Sequence, residues 1–170
     1  MIRRLAVHKL REWRYSEDRK PLIIRGVRQV GKTTLVKEFA KEFDTFLHLN
    51  LERSKESELF EQTDDVGQLL QSIYFHKKQE QKDGSVLLFI DEIQNSKKAV
   101  AMLRYFYEEA PEIHVIVAGS LLETVMDVRK ISFPVGRVEF MSLRPCSFLE
   151  FLGGLGEDFD KELVENFSVE

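Results

Sequence analysis

The run Gly26-Val27-Arg28-Gln29-Val30-Gly31-Lys32-Thr33 carries the pattern G-x-x-x-x-G-K-[ST] without a departure. Each residue type has a chemical reason. Glycine lets the backbone bend so that successive N–H groups face one point, and a helix starting there aims its positive dipole end at the same point. Such a cradle holds phosphate oxygens. Lys32 can bridge the β- and γ-phosphates of a nucleotide, and the hydroxyl of Thr33 can ligate Mg²⁺. Thr34 belongs to the same helix start, so the expected nucleotide contacts run from Gly26 through Thr34. The side chain of Arg28 can lie along the nucleotide, reach a neighbour or stay in solvent, and the sequence leaves the three open.

About sixty residues on, Val86-Leu87-Leu88-Phe89-Ile90 ends in the carboxylates Asp91 and Glu92. In a parallel sheet the C-terminal strand ends form the ligand crevice, which would bring Asp91 beside Lys32 and Thr33. Asp91 is the expected Mg²⁺ ligand, and Glu92 is placed to accept a hydrogen bond from an attacking water. Standing alone, the same two residues would read as an acidic strand end that solvates the sheet. Ser120 follows the apolar run Ile113 to Ala118 and Gly119. It can touch the γ-phosphate or the water, and can equally cap a helix beginning at Leu121; the two roles are compatible. Charge spreads over the γ-phosphoryl oxygens during transfer, so an arginine is needed. Arg137, after Gly136, is the first candidate and Arg129 the second; each also reads as a solvated charge.

Other chemistries find little support. His8, His48, His76 and His114 show no metal-ligand spacing, and the lone Cys146 adds nothing to them. No G-x-S-x-G elbow or Ser-His-Asp order occurs, and no Asn-Lys-x-Asp segment that would read guanine.

These residues must be positioned by elements, and the elements alternate. Ile2, Leu5, Ala6, Lys9, Leu10 and Trp13 recur at helical spacing, so residues 2–15 read as an amphipathic helix. Leu22-Ile23-Ile24 reads as a buried strand before the glycine loop, and Leu35, Phe39 and Phe43 mark one face of the helix after it. Strands are expected at 46–51, 86–90, 113–118 and 135–143, with helices at 66–80 and 99–109. In the first of these helices Leu69, Leu70, Ile73 and His76 turn inward. Pro145 should open a final helix with Phe148, Leu149 and Leu152 on its apolar face. Apolar strands separated by helices imply an α/β fold with a parallel sheet covered on both faces. Residues 1–20 form an expected N-terminal helix and linker, 21–153 the core, and 154–170 an acidic segment read as a solvated helix or frayed tail.

The 170 residues suffice for one domain without a metal or disulfide staple. A net charge of −4 excludes a polybasic protein that coats nucleic acid through bulk charge, although residues 1–20 hold seven Lys/Arg against three acids. The apolar runs are too short to span a bilayer, no secretory leader is visible, and a single cysteine gives no sign of an oxidising compartment. The expected location is cytoplasmic, with no membrane association.

Four segments in order carry a family resemblance: Ile-Ile-Arg-Gly-Val-Arg-Gln-Val-Gly-Lys-Thr-Thr-Leu (23–35), Leu-Phe-Ile-Asp-Glu-Ile-Gln (88–94), Val-Ala-Gly-Ser-Leu-Leu (117–122), and Gly-Arg-Val (136–138) followed by Leu-Arg-Pro-Cys-Ser-Phe-Leu-Glu-Phe-Leu (143–152). The chain resembles the AAA-like prokaryotic ATPases, in the branch with an Arg-Gln phosphate loop and a C-terminal domain of unknown function. The resemblance implies a three-layer P-loop fold with five strands in the order 5-1-4-3-2. It makes Lys32 and Thr33 Walker A, Asp91 and Glu92 Walker B, Ser120 the sensor position, and Arg137 the Gly-Arg before the final strand. It also implies ATP and Mg²⁺ as cofactors and an isolated nucleotide-binding core of a longer protein. A homo-oligomer of that protein, and a DNA or protein client, are partners it allows without a motif to support them. The expected activity is ATP hydrolysis to ADP and phosphate, weak in this chain alone. A nucleotide-dependent switch or scaffold with little turnover, and a P-loop phosphotransferase, are the alternatives.

Overall fold

The computed structural model describes residues 6–119 and 132–155. Five strands form one parallel sheet: β1 (Leu22–Arg25), β2 (Thr45–Asn50), β3 (Val86–Asp91), β4 (Ile113–Ala118) and β5 (Glu139–Ser142). Their spatial order is β2-β3-β4-β1-β5, which is the expected 5-1-4-3-2 read from the other edge. All four pairings are parallel.

Side chains alternate across a strand, so the sheet has two apolar faces and needs two covers. On one face Ile24, Leu87, Phe89, Ile116 and Met141 pack with α1 (Ala6–Arg14) and α2 (Lys32–Phe39). On the other, Ile23, Leu88, Ile90, Val115 and Val117 pack with α3 (Ser54–Glu61), α4 (Val66–Lys77) and α5 (Lys97–Glu109). Phe39, Phe60, Phe89 and Phe106 are almost wholly enclosed, and each such side chain is worth roughly 1.5–3 kcal/mol relative to exposure. The final helix, α6 (Phe148–Leu155), follows β5.

Several boundaries differ from those the sequence suggests. Residues 54–61 form a helix that periodicity did not reveal, because Ser-Lys-Glu-Ser-Glu-Leu-Phe-Glu has only Leu59 and Phe60 as an apolar signal. A buried carboxylate secures it. Burial works to raise the carboxyl of Glu56, but the Lys77 ammonium at 2.9 Å and the Asn50 amide at 2.6 Å outweigh it and hold the group below its ordinary range. His76 consequently faces Glu56, 3.7 Å away, instead of the core. The helix after the loop ends at Phe39 and tightens into a 3₁₀ turn, Ala40–Glu42; Phe43 leaves it in extended conformation, with its ring against Phe39 and under Arg14.

The last strand begins at Glu139 and not at Val135. Pro134 to Arg137 close a turn through Arg137 N–H to Pro134 C=O, with Gly136 at φ 75°. Pro145 lies three residues before α6, whose start is a reciprocal cap: Glu150 N–H donates to Ser147 Oγ and Ser147 N–H to the Glu150 carboxylate. Leu152 is buried there, but Phe148 is 63% exposed.

Two histidines are built into the core walls. His48 stacks on Phe89, and His114 meets Trp13 and Phe43 edge-on. Both are lowered to about 4, by burial first, then by Lys37 and Lys77 near His48 and by Arg19 and Arg14 near His114. Such groups bind protons more readily in the unfolded chain. Their contribution is therefore complete above pH ~6.5 and is lost as pH falls towards 4. Denaturant midpoints measured across that window should decline steadily; a flat profile would contradict the buried neutral state.

Candidate functional site

The strand order places β4 between β1 and β3, and the C-terminal ends of all three meet along one edge of the sheet. The glycine loop leaves β1 at that edge and Asp91 closes β3 on it. Tight packing shapes the loop. A Cβ at Gly26 would approach the Leu143 carbonyl oxygen to 2.5 Å, so only glycine lets β5 and the loop lie this close. Gly31, at φ 94° and ψ 22°, turns the chain into α2, and Gln29 holds φ 63° just before it.

A cleft of about 250 Å³ opens at this edge, lined by Gln29, Val30, Gly31, Lys32, Thr33, Thr34, Asp91 and Glu92. Lys32 Nζ donates to the carbonyls of Gly26 at 2.8 Å and Val27 at 2.9 Å. Thr33 Oγ1 donates to Asp91 Oδ2 at 2.8 Å, which ties the loop to the end of β3. Asp91 Oδ1 accepts from the Glu92 amide at 3.1 Å.

The two buried charges are held under tension. Burial pulls the Lys32 ammonium below its ordinary range, with Glu92 and Asp91 opposing that shift. Burial likewise raises the Asp91 carboxyl, Glu92 pushing the same way, while the Thr33 hydroxyl, the Glu92 amide and Lys32 oppose. A polyanion beside Lys32 and a cation beside Asp91 would each favour the charged form, so the site gains from the ligands that its residue types suggest.

The cleft thus gathers Lys32, Thr33, Thr34, Asp91 and Glu92 with Gln29, Val30 and Gly31. Gly26 and Val27 face it through their carbonyls on Lys32, while the side chains of Val27 and Arg28 are exposed. Ser120 and Arg129 lie outside the described residues.

Arg137 is not brought to its own phosphate loop. Glu139 pairs with Leu22 at the start of β1, so Arg137 stands at the N-terminal edge of the sheet, and the loop leaves from the other. The β1 strand alone separates those edges by about 10 Å. Arg137 instead donates from Nε to Glu108 at 3.0 Å, at the end of α5. The physical reason is directional: in a parallel sheet the loop after a strand reaches the ligand edge, not the one before it.

One residue of this site was missed by sequence reasoning. Gln94 is buried in the 3₁₀ turn Ile93–Asn95 and donates to Glu92 Oε2 at 2.5 Å. The signal available was a polar residue two positions beyond a carboxylate pair, which no spacing rule singles out.

Three arginines of the N-terminal region are engaged within the chain: Arg11 and Arg14 both reach Glu42, and Arg19 reaches the backbone at Arg14 and Pro111. Among the described residues, no helix is long and apolar enough to cross a membrane.

Comparison with known proteins bears on the fold and the family. The solved structure of the Walker-type ATPase PABY2304 of Pyrococcus abyssi superposes with a TM-score of 0.60 at 18% identity, covering 100% of this chain and 60% of that one. C. elegans PCH-2 superposes with a TM-score of 0.46 at 15% identity, over 97% of this chain and 46% of its own. The chain therefore spans less than two thirds of either structure, and at such identity the first likeness is one of fold. No curated protein matches in sequence. The AAA domain family matches residues 18–152, from the approach to β1 to the interior of α6. With its P-loop fold and its ATPase-like nucleotide core, the chain belongs to the AAA domain family.

Proposed function

We propose that this chain binds ATP with Mg²⁺ and hydrolyses it to ADP and phosphate. The observation that carries the reading is the bond between Thr33 Oγ1 and Asp91 Oδ2 at 2.8 Å, inside a cleft that also holds Lys32 and Glu92. It joins the residue after the phosphate-binding lysine to the carboxylate across the sheet.

The donors fit Mg²⁺, which prefers hard oxygen ligands and is usually held by one or two carboxylates together with substrate phosphates. Thr33 and Asp91 would hold the ion, which would supply charge neutralisation for the phosphates. Lys32 binds the terminal phosphates once it exchanges the Gly26 and Val27 carbonyls for phosphate oxygens. The N–H groups at the start of α2 face the same anion. Glu92 accepts the proton side of the attacking water and aims its lone pair at the γ-phosphorus.

A nucleotide-dependent switch with little turnover is the second reading, and the distance of Arg137 from its own cleft favours it for a single copy. Assembly of several copies and a cytoplasmic setting belong to the proposal, the first carried by Arg137 and the second by the lone Cys146.

The test is Lys32→Ala. Calorimetric titration should find Mg-ATP binding abolished, while thermal unfolding stays close to that of the unaltered chain, because the lost charge serves ligand. Undiminished affinity would end the proposal. The unaltered chain should itself bind weakly. Its cleft is lined by the phosphate loop, Asp91 and Glu92, residues suited to phosphates and metal, so the base gains little from it. Nanomolar affinity would contradict this.

A further inference from the structure

Glu92 is not a simple strand end. Its backbone lies in the left-handed region, φ 54° and ψ 45°, where a non-glycine residue is held only by its surroundings. The chain there leaves β3 and turns through Ile93–Asn95, which carries Gln94 into a buried position, 7% exposed. Gln94 Nε2 lies 2.5 Å from Glu92 Oε2. An ionised carboxylate only accepts hydrogen bonds, so the amide is the donor. Bonds of this kind, to a charged acceptor, are shorter and stronger than neutral ones. Gln94 is absent from the lining of the phosphate cleft, so it meets the site through Glu92.

We propose that Gln94 is a positioning residue for the hydrolysis assigned above: its amide fixes the Glu92 carboxylate at the mouth of the cleft in the rotamer that receives the water. The inference rests on the hydrolytic reading of Glu92. A glutamate side chain has three rotatable bonds, and in left-handed backbone its direction is not set by the strand. A buried donor constrains it. A carboxylate offers about four acceptor sites, so a bond from Gln94 does not by itself displace one from water. Misplacing a reacting group by about 1 Å can cost roughly 10²-fold in rate, which sets the scale of the effect.

The test uses Gln94→Met, which has similar volume but no N–H, with Gln94→Leu as the second variant should Gln94→Met not fold. Both are measured on the full chain for thermal unfolding, Mg-ATP binding, kcat and KM. The expected result is a kcat lower by roughly 10- to 100-fold with KM and nucleotide affinity within about twofold. A merely structural role would move unfolding and affinity together with kcat. The cycle is completed by Glu92→Gln alone and combined with the Gln94 change. If Gln94 acts through Glu92, its loss should cost less than about twofold once Glu92 is already altered. Unchanged kcat in the Gln94 variants, beside a large loss in Glu92→Gln, would overturn this inference and leave the hydrolytic reading standing. Multiplying losses in the combined variant would do the same. No loss in Glu92→Gln would overturn both.

Discussion

Glu92→Gln should leave Mg-ATP binding within about twofold and lower turnover by roughly 10²- to 10⁴-fold, the range that a positioned general base contributes. The substitution keeps the length, the planar end group and one acceptor oxygen, so the cleft keeps its shape. What it removes is the second carboxylate oxygen and the charge. It also turns Glu92 from a pure acceptor into a group that carries its own N–H donors, which face Gln94 Nε2 or the water with the wrong polarity. Binding rests on Lys32, Thr33 and the loop amides, and the side chains of the first two bond to the Gly26 and Val27 carbonyls and to Asp91. Single-turnover hydrolysis beside equilibrium titration separates the two effects. Full turnover in the variant would make Glu92 a solvated strand end, and the switch reading would then describe the chain better.

Legibility in the sequence followed the strength of local constraint. The glycine loop was readable because its chemistry dictates residue types at fixed spacing, and β3 because the five consecutive buried positions before Asp91 admit hardly any polar residue. The order of the strands came from the resemblance; periodicity alone gave the α/β class and a parallel sheet. The segment 54–61 was not readable as a helix, since its order depends on a tertiary contact: Glu56 reaches back to the Asn50 amide and across to Lys77. The same holds for Gln94, whose partner is two residues away in sequence but is aligned only by the left-handed turn at Glu92. The start of β5 was misread because Val135-Gly136-Arg137-Val138 alternates like a strand, while Pro134 and Gly136 at φ 75° impose a turn. That misreading matters for function, since it concerns the segment that carries Arg137.

The edge on which Arg137 stands bears on which nucleotide it can serve. Glu108 holds its guanidinium at 3.0 Å, with Arg104 on the same carboxylate, and the side chain remains 44% exposed. An arginine that stands away from its own cleft and remains exposed to solvent would be available to a second copy. An arginine supplied in trans can be worth roughly 10³ to 10⁵ in phosphoryl transfer, so activity should rise faster than linearly with protein concentration and be nearly absent when dilute. The decisive experiment mixes Arg137→Ala protein with Lys32→Ala protein, each inactive alone, in their full-length forms. The first keeps an intact phosphate site and the second an intact arginine. An interface between them should therefore regain turnover, up to the fraction of mixed interfaces that pairs those two intact halves. Light scattering establishes co-assembly in the same samples. Co-assembly without recovery would leave Arg137 as a structural charge that ties the turn before β5 to the end of α5, and the assignment in trans would be withdrawn.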